Sequence, residues 1–485
     1  MVPAMVAIVV ALGALQIAFG ERIGINGGQG WDGQAYTQWA LDFPHHVLDH
    51  GLTQYYAQRV LPSAAIYYGS RALGVAPTVP HAIFAFQLLD LAMLAAAAVV
   101  YGHLAVRVLK WRASAAWAGF AALFGCFANA RHALYYPTLT DPTAFFLGMV
   151  LVWGYLARKP VAVWLAAALG AWTWPALPTL AMAMLVAPRP REPVPPLAWP
   201  RAIRWTALAL AAGGTALVLL VARAYYVDPV PNIGCDKFAA WVLRDWLVVT
   251  VPLLVAMLGV GGYLIASQPR AWNLVAYVRG LGWKRTAAAI VGCAAIFVAR
   301  AWWVGQVGTQ GDGPTFRNQI LCEHGNAMLR GPAWGPVHEV VYFGPIVIVA
   351  ILAWRRIAEL AAEWGPAIAL ALAMMLAFAT GSQARQWVHL LPLLVVLAIA
   401  ATEARWTPVR AIAFGAVSLA WSKLWFHIGW TSVHTWFDSP DQRYYMHLGQ
   451  WASDESYVWH LIAALVTALV VALVARTSTT ARDPA

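Results

Sequence analysis

The sequence predicts an all-helical polytopic membrane protein, and three observations carry that prediction. Hydrophobic residues make up 61% of the 485-residue chain and charged residues only 11%, less than half the charged share of a soluble domain, about 25%. Apolar runs of the length a bilayer requires, about 20 residues, recur from the first residue to about residue 475. Lysine and arginine also alternate between rich and poor loops along the chain. A soluble enzyme is excluded. The net charge of +11 forms no long basic run, so it points to membrane sidedness and not to nucleic acid.

Taken in order, the apolar runs fall at about 2–20, 81–106, 114–128, 141–157, 161–187, 203–222, 247–266, 287–305, 338–353, 365–380, 388–402, 411–426 and 457–475. The run 161–187 carries Trp174-Pro175 and Pro178, which predicts two short helices in a hairpin. At about 35 residues per span and loop, the chain has room for roughly fourteen transmembrane helices. Residues 1–20 lack a basic flank and are expected to stay as the first helix. The whole chain, 1–485, reads as one transmembrane domain.

With the N-terminus inside, segments 107–112, 158–159, 188–204, 267–285, 354–363, 403–410 and 476–485 share one side and carry 19 of the 32 basic residues but 5 of the 21 acidic ones. The two sides then hold +14 and −4, and both termini are expected in the cytoplasm. The long, polar loops 21–80, 223–246, 306–337 and 427–456 fall on the outer side. Of four cysteines, Cys126 and Cys293 lie within spans, while Cys235 and Cys322 sit in outer loops, so a Cys235–Cys322 disulfide is expected.

The densest polar cluster is Trp31-Asp32-Gly33-Gln34-Ala35-Tyr36, followed by Gln58-Arg59-Val60-Leu61-Pro62. A carboxylate just above the membrane, with aromatic and amide side chains one turn on, suits a sugar site with a general base. The same Asp32 is also a good helix N-cap, and Trp31 and Tyr36 suit an interfacial belt. A second cluster, Asn129 to Pro142, contains Arg131, His132 and Asp141; Asp141-Pro142 reads equally as a helix start. A third, Gly381 to His389, places Arg385 and His389 on the outer side, against the positive-inside bias. Asp90 is read as the sole acid inside a span, a partner for Arg300 or for a polar group of a neighbouring helix. Outer-loop tryptophans, Trp31, Trp39, Trp241, Trp246, Trp334, Trp430, Trp436 and Trp451, are available to stack on sugar rings. The sequence shows no metal-binding spacing and no nucleotide-binding or hydrolase motif.

One transmembrane helix, an outer-loop Asp in W-D-G-Q-x-Y, and a Q-R-x-L-P segment opening the next hydrophobic region resemble the GT-C superfamily of polytopic glycosyltransferases. The clear match covers residues 1–160 as a catalytic module, with 161–485 as the remaining bundle. That resemblance implies an inverting hexosyl- or pentosyltransferase of cell-envelope glycan biosynthesis. It implies a polyprenyl-phosphate sugar as co-substrate, a glycolipid or glycan acceptor, and no obligatory cofactor or metal. It places Asp32 as base or acceptor-orienting group, with Asp141 as a second acid in the same cavity. The family's phosphate contact maps onto Arg59; Arg131, His132 and Arg385 are further candidates by their own chemistry, since arginine presents a fork matched to phosphate oxygens, and Trp31, Gln34, Tyr36, Gln58 and His389 are candidates for contacting the substrate. The loop lacks the acidic pair of protein O-mannosyltransferases, which argues against a protein acceptor. The expected location is a bacterial inner or plasma membrane, with the site facing the exterior. The competing readings are a lipid-linked saccharide flippase and a non-catalytic subunit of an envelope assembly.

Overall fold

The computed structural model describes residues 1–192, 194–228, 244–273, 275, 277, 282–308, 325–380, 383–428 and 454–476. The expected Cys235–Cys322 disulfide lies outside the described residues, as do Trp241, Trp430, Trp436 and Trp451. Among the described residues the fold is helical throughout and contains no strand.

Among the described residues seven helices, rather than the roughly fourteen expected, are long and apolar enough to cross a membrane: Val2–Phe19, Val79–Val108, Pro200–Val227, Arg244–Ala266, Trp283–Val307, Ala384–Arg405 and Asp454–Leu473. An eighth span forms if Ala113–Phe124 and Ala128–Tyr135, bent by 55°, are counted together. The other apolar runs become shorter helices, Asp141–Leu156, Pro160–Gly170, Leu177–Val186, Pro366–Phe378 and Pro408–Trp421. At 1.5 Å per residue these reach about 15–24 Å, short of the hydrocarbon thickness of about 30 Å.

Local chemistry explains the shortening. The hairpin expected from Trp174-Pro175 is present as Pro160–Gly170 and Leu177–Val186. The run 338–353 breaks at Gly344, whose φ of +77° is left-handed, and Pro345 then keeps Gly344 out of the right-handed helical region. The stretch 125–140, which holds the bend, the short helical piece Ala128–Tyr135 and the irregular residues 136–140, is almost wholly buried. Backbone of this kind is tolerated at membrane depth only where protein surrounds it or a cavity adjoins it.

Hydrogen bonds sort the connecting segments onto two ends of the bundle. At one end Arg158 donates to Pro190 O at 2.7 Å, Asn273 to Pro195 O at 3.0 Å, and Arg270 pairs with Glu363 at 3.2 Å. These contacts gather 158–159, 188–204, 267–273 and 354–363, as the charge pattern grouped them. The start of the first helix, where Val2 meets Gly102, lies at this basic end; so do Val470 and Val471 of the last helix, beside Arg405 and Arg410. At the opposite end Ile23 N donates to Tyr135 O at 2.9 Å, and Arg330 pairs with Asp454 at 3.1 Å.

The Asp141 helix and the turn Ala384–Leu390 touch at Gly148, where an added Cβ would collide with the backbone carbonyl of His389. Gly148→Ala should therefore force the two elements apart and lower the thermal unfolding midpoint in detergent. The expected cost is that of overpacking, about 1–3 kcal/mol; an unchanged midpoint would show that the contact yields freely.

Candidate functional site

Three remote segments meet at the end opposite the basic loops. Asp32 opens the helix Asp32–Leu41, and its N-cap position is taken by Trp31 without a side-chain capping bond. The carboxylate is thus left for tertiary partners. Arg385 Nη2 donates to Asp32 Oδ2 at 2.9 Å, and Tyr56 Oη donates to Asp32 Oδ1 at 3.3 Å. Asp141 is likewise the first residue of its helix. Its Oδ2 lies 3.8 Å from Arg385 Nη1, an ion pair longer than a hydrogen bond. One guanidinium therefore joins two carboxylates that are 109 positions apart in sequence, itself lying 353 positions from Asp32. The capping role open to Asp32 in the sequence is not the one it takes.

Several contacts hold Arg385 in place. Its Nε donates to Gln383 Oε1 at 3.1 Å. Two residues on, the Trp387 indole donates to Glu339, and Trp174 Nε1 donates to Gln386 O at 3.2 Å. Glycines admit the Asp32 segment: a Cβ on Gly33 would strike Thr138 Oγ1, and Gly33 N donates to Tyr136 Oη at 3.2 Å. The one-turn helix Gln54–Ala57, capped by Thr53, supplies the neighbouring aromatics. Burial and then the Asp32 charge push the Tyr56 hydroxyl above its ordinary value, so it remains a donor.

Arg59 is buried between the rings of Tyr55, at 4.3 Å, and Trp174, at 4.5 Å. It has no carboxylate partner among the described residues. Comparison with protein-family models, with curated proteins and with solved structures returns no match. The arrangement is therefore interpreted from its own geometry.

The remaining expected site residues are placed as follows. Arg131 is not brought to the carboxylates: it pairs with Glu21 at 2.6 Å and donates to Phe426 O at 3.2 Å. His132 is buried, with Nδ1 3.1 Å from Tyr342 Oη, and is packed as an interior residue. His389 is buried beside Trp174. Gln34 is exposed, while Trp31 is half-buried and edge-on to Tyr136. Tyr36 is buried against Trp39 and Tyr56. Gln58 accepts from Arg300 and so ties the first loop to the helix Trp283–Val307. Arg300 also donates to Pro175 O, so the Asp90–Arg300 pair allowed for above does not form; both Asp90 oxygens are buried without a hydrogen bond among the described residues. Nor is Asp90 the only interior acid, since Glu339 is buried as well. Trp334, expected on a loop, is fully buried.

Sequence reasoning missed Tyr55, Tyr56 and Gln383 as contacts of Arg59, Asp32 and Arg385. The adjacency of Tyr55-Tyr56 to Gln58-Arg59 was the available signal.

If the Arg385 bridge holds the two carboxylates together, Arg385→Gln should lower stability by roughly 3 kcal/mol, the scale for stranding a buried charge. Adding Asp141→Asn to that variant should restore part of the loss. Thermal unfolding of the two single variants and the double variant measures the coupling, and simple additivity would contradict the bridge. Arg131→Ala should reduce stability by a similar mechanism, through Glu21, and leave ligand binding at the Asp32 site unchanged in a titration.

Proposed function

We propose that the protein is an inverting membrane glycosyltransferase that uses a polyprenyl-phosphate sugar, with its site on the outer face. The observation that carries the reading is the Arg385 guanidinium set between Asp32 and Asp141, with Arg59 unpaired by any described carboxylate nearby. Arginine presents a planar fork matched to phosphate oxygens. An arriving donor phosphate draws on Arg385 and Arg59, and Asp32 is then released from its ion pair to receive a proton.

In the proposed reaction the acceptor hydroxyl gives its proton to Asp32 while its oxygen attacks the anomeric carbon. The bond from that carbon to the phosphate oxygen breaks, and its electron pair leaves with polyprenyl phosphate. Attack opposite the leaving group inverts the centre. Cationic stabilisation of the departing phosphate supplies the electrostatic part of catalysis. Tyr56 orients the Asp32 carboxylate, and Asp141 keeps Arg385 positioned.

A cavity of about 550 Å³ supports the lipid half of this reading. Its walls include Ile8, Leu12, Trp117, Phe124, Leu134 and Ile412, nearly all apolar. It runs from Ser114, near the basic end, to Asn129 and Leu134, without Asp32, Arg59, Asp141 or Arg385 in its lining, and an isoprenoid chain fits such walls without stranding polar groups.

Asp32→Asn preserves size but removes the proton acceptor. Purified variant incubated with radiolabelled polyprenyl-phosphate sugar should turn over about 100-fold more slowly or worse, with donor binding retained. Near-normal transfer would remove Asp32 from the role of base.

A further inference from the structure

A second charged site lies at the far end of the Asp141 helix. That helix runs 16 residues, Asp141 to Leu156, so its two ends are about 24 Å apart. Beyond its last turn a cavity of about 220 Å³ opens, lined by Arg158, Arg189, Arg191 and Arg285 together with Tyr155 and Pro188. No acidic side chain among the described residues lines it.

Arg158, Arg191 and Arg285 are exposed and Arg189 is half-buried, and cations that line one concavity repel one another, a repulsion that a bound anion relieves. At the same end Arg270, Arg355 and Arg356 have carboxylate partners, in Glu363 and Glu359 at 3.1–3.5 Å. The four arginines of the cavity have none among the described residues, and neighbouring Glu192 forms no ion pair there either. Two of the four are fixed by backbone carbonyls: Arg158 donates to Pro190 O at 2.7 Å, and Arg189 to Leu156 O at 2.9 Å. Burial and the neighbouring Arg158 charge push the Arg189 guanidinium below its ordinary value, the signature of a cation held in place without an anion.

A further feature favours negative charge. Pro160 and Val163, in the first turn of the 11-residue helix Pro160–Gly170, line the same cavity, which puts the positive end of a helix dipole at its wall. Basic pockets between helices at a membrane surface suit phosphate headgroups.

We propose that this cavity binds a phosphate ester or phosphate ion, supplied by an anionic phospholipid headgroup or by free phosphate. The ligand neutralises four arginines that the described chain leaves unpaired, and it bridges the turn at 158–160, the loop at 188–191 and the start of the helix Trp283–Val307. The site lies at the opposite membrane face from Asp32 and does not depend on the glycosyltransferase reading.

The test uses the full chain. Arg158 and Arg189 are left intact because they also bind backbone carbonyls. The pocket variant is Arg191→Gln with Arg285→Gln, whose side chains make no such bonds among the described residues. The control variant is Arg201→Gln with Arg204→Gln, two arginines at the same end that do not line the cavity. Cardiolipin retention by native mass spectrometry, against a phosphatidylcholine background, forms one arm. Titration with inorganic phosphate, read by thermal unfolding, forms the other. The pocket variant should bind at least about tenfold more weakly, the factor that 1.4 kcal/mol produces, while the control binds as the native chain does. Retention of cardiolipin alone identifies a lipid headgroup, and a response to inorganic phosphate identifies the free ion. Equal losses in both variants, or no preference of the native chain over the pocket variant for either probe, would overturn the site. If the pocket variant proves unstable, Arg191→Lys with Arg285→Lys keeps the charge and should keep binding within a few-fold; a loss as large as that of the glutamine pair would then count against the proposal.

Discussion

Two carboxylates and one arginine, with Asp141 and Arg385 buried and Asp32 half-buried, tie three remote segments of this bundle together. Asp32 and Asp141 approach a common point and would repel each other there if nothing lay between them. Arg385 lies between them, 2.9 Å from one and 3.8 Å from the other. Desolvating such ions is costly, and only good geometry with further hydrogen bonds offsets that cost. Gln383 on the guanidinium and Tyr56 on Asp32 supply those bonds. Each of the three charges is therefore held by the others, and the elements that carry them are held with them.

That constraint fixes where the Asp141 helix begins. The Asp141 helix starts at the depth where Arg385 waits, and the turn Ala384–Leu390 must run close to it, which Gly148 allows. Just ahead of that helix, at 136–140, the chain leaves regular helix inside the protein and not in lipid. Apolar runs that look like full spans are divided into pieces that start or stop around a polar centre, as backbone at membrane depth requires. The structural ion pair of Arg131 with Glu21 closes the same end of the bundle from another side.

The two ends of the molecule differ in how their charges are balanced. Around Asp32, acids and arginines are interleaved, and Arg59 stacks on aromatic rings. At the basic end, some arginines meet glutamates while four line a cavity to which no described carboxylate contributes. Sidedness in a membrane requires only an excess of positive charge at one face; it does not require that the charge converge on a concave surface.

Composition and periodicity determined the helical class, the grouping of loops onto two ends, and the hairpin at Trp174-Pro175, because burial in lipid and the geometry of proline act on local stretches of chain. The sequence also marked Asp32, Asp141, Arg59 and Arg385 as unusual, since charges near apolar runs need a reason. It could not say that Arg131 belongs to Glu21, that His132 meets Tyr342 and His389 meets Trp174, or that Arg300 turns to Gln58 and not to Asp90. Those choices depend on which of several distant partners lies within about 3–4 Å, and a linear pattern carries no such distance. The number of long spans was also undecided for the same reason: an apolar run states that it avoids water, while only the packed bundle decides whether lipid or protein surrounds it.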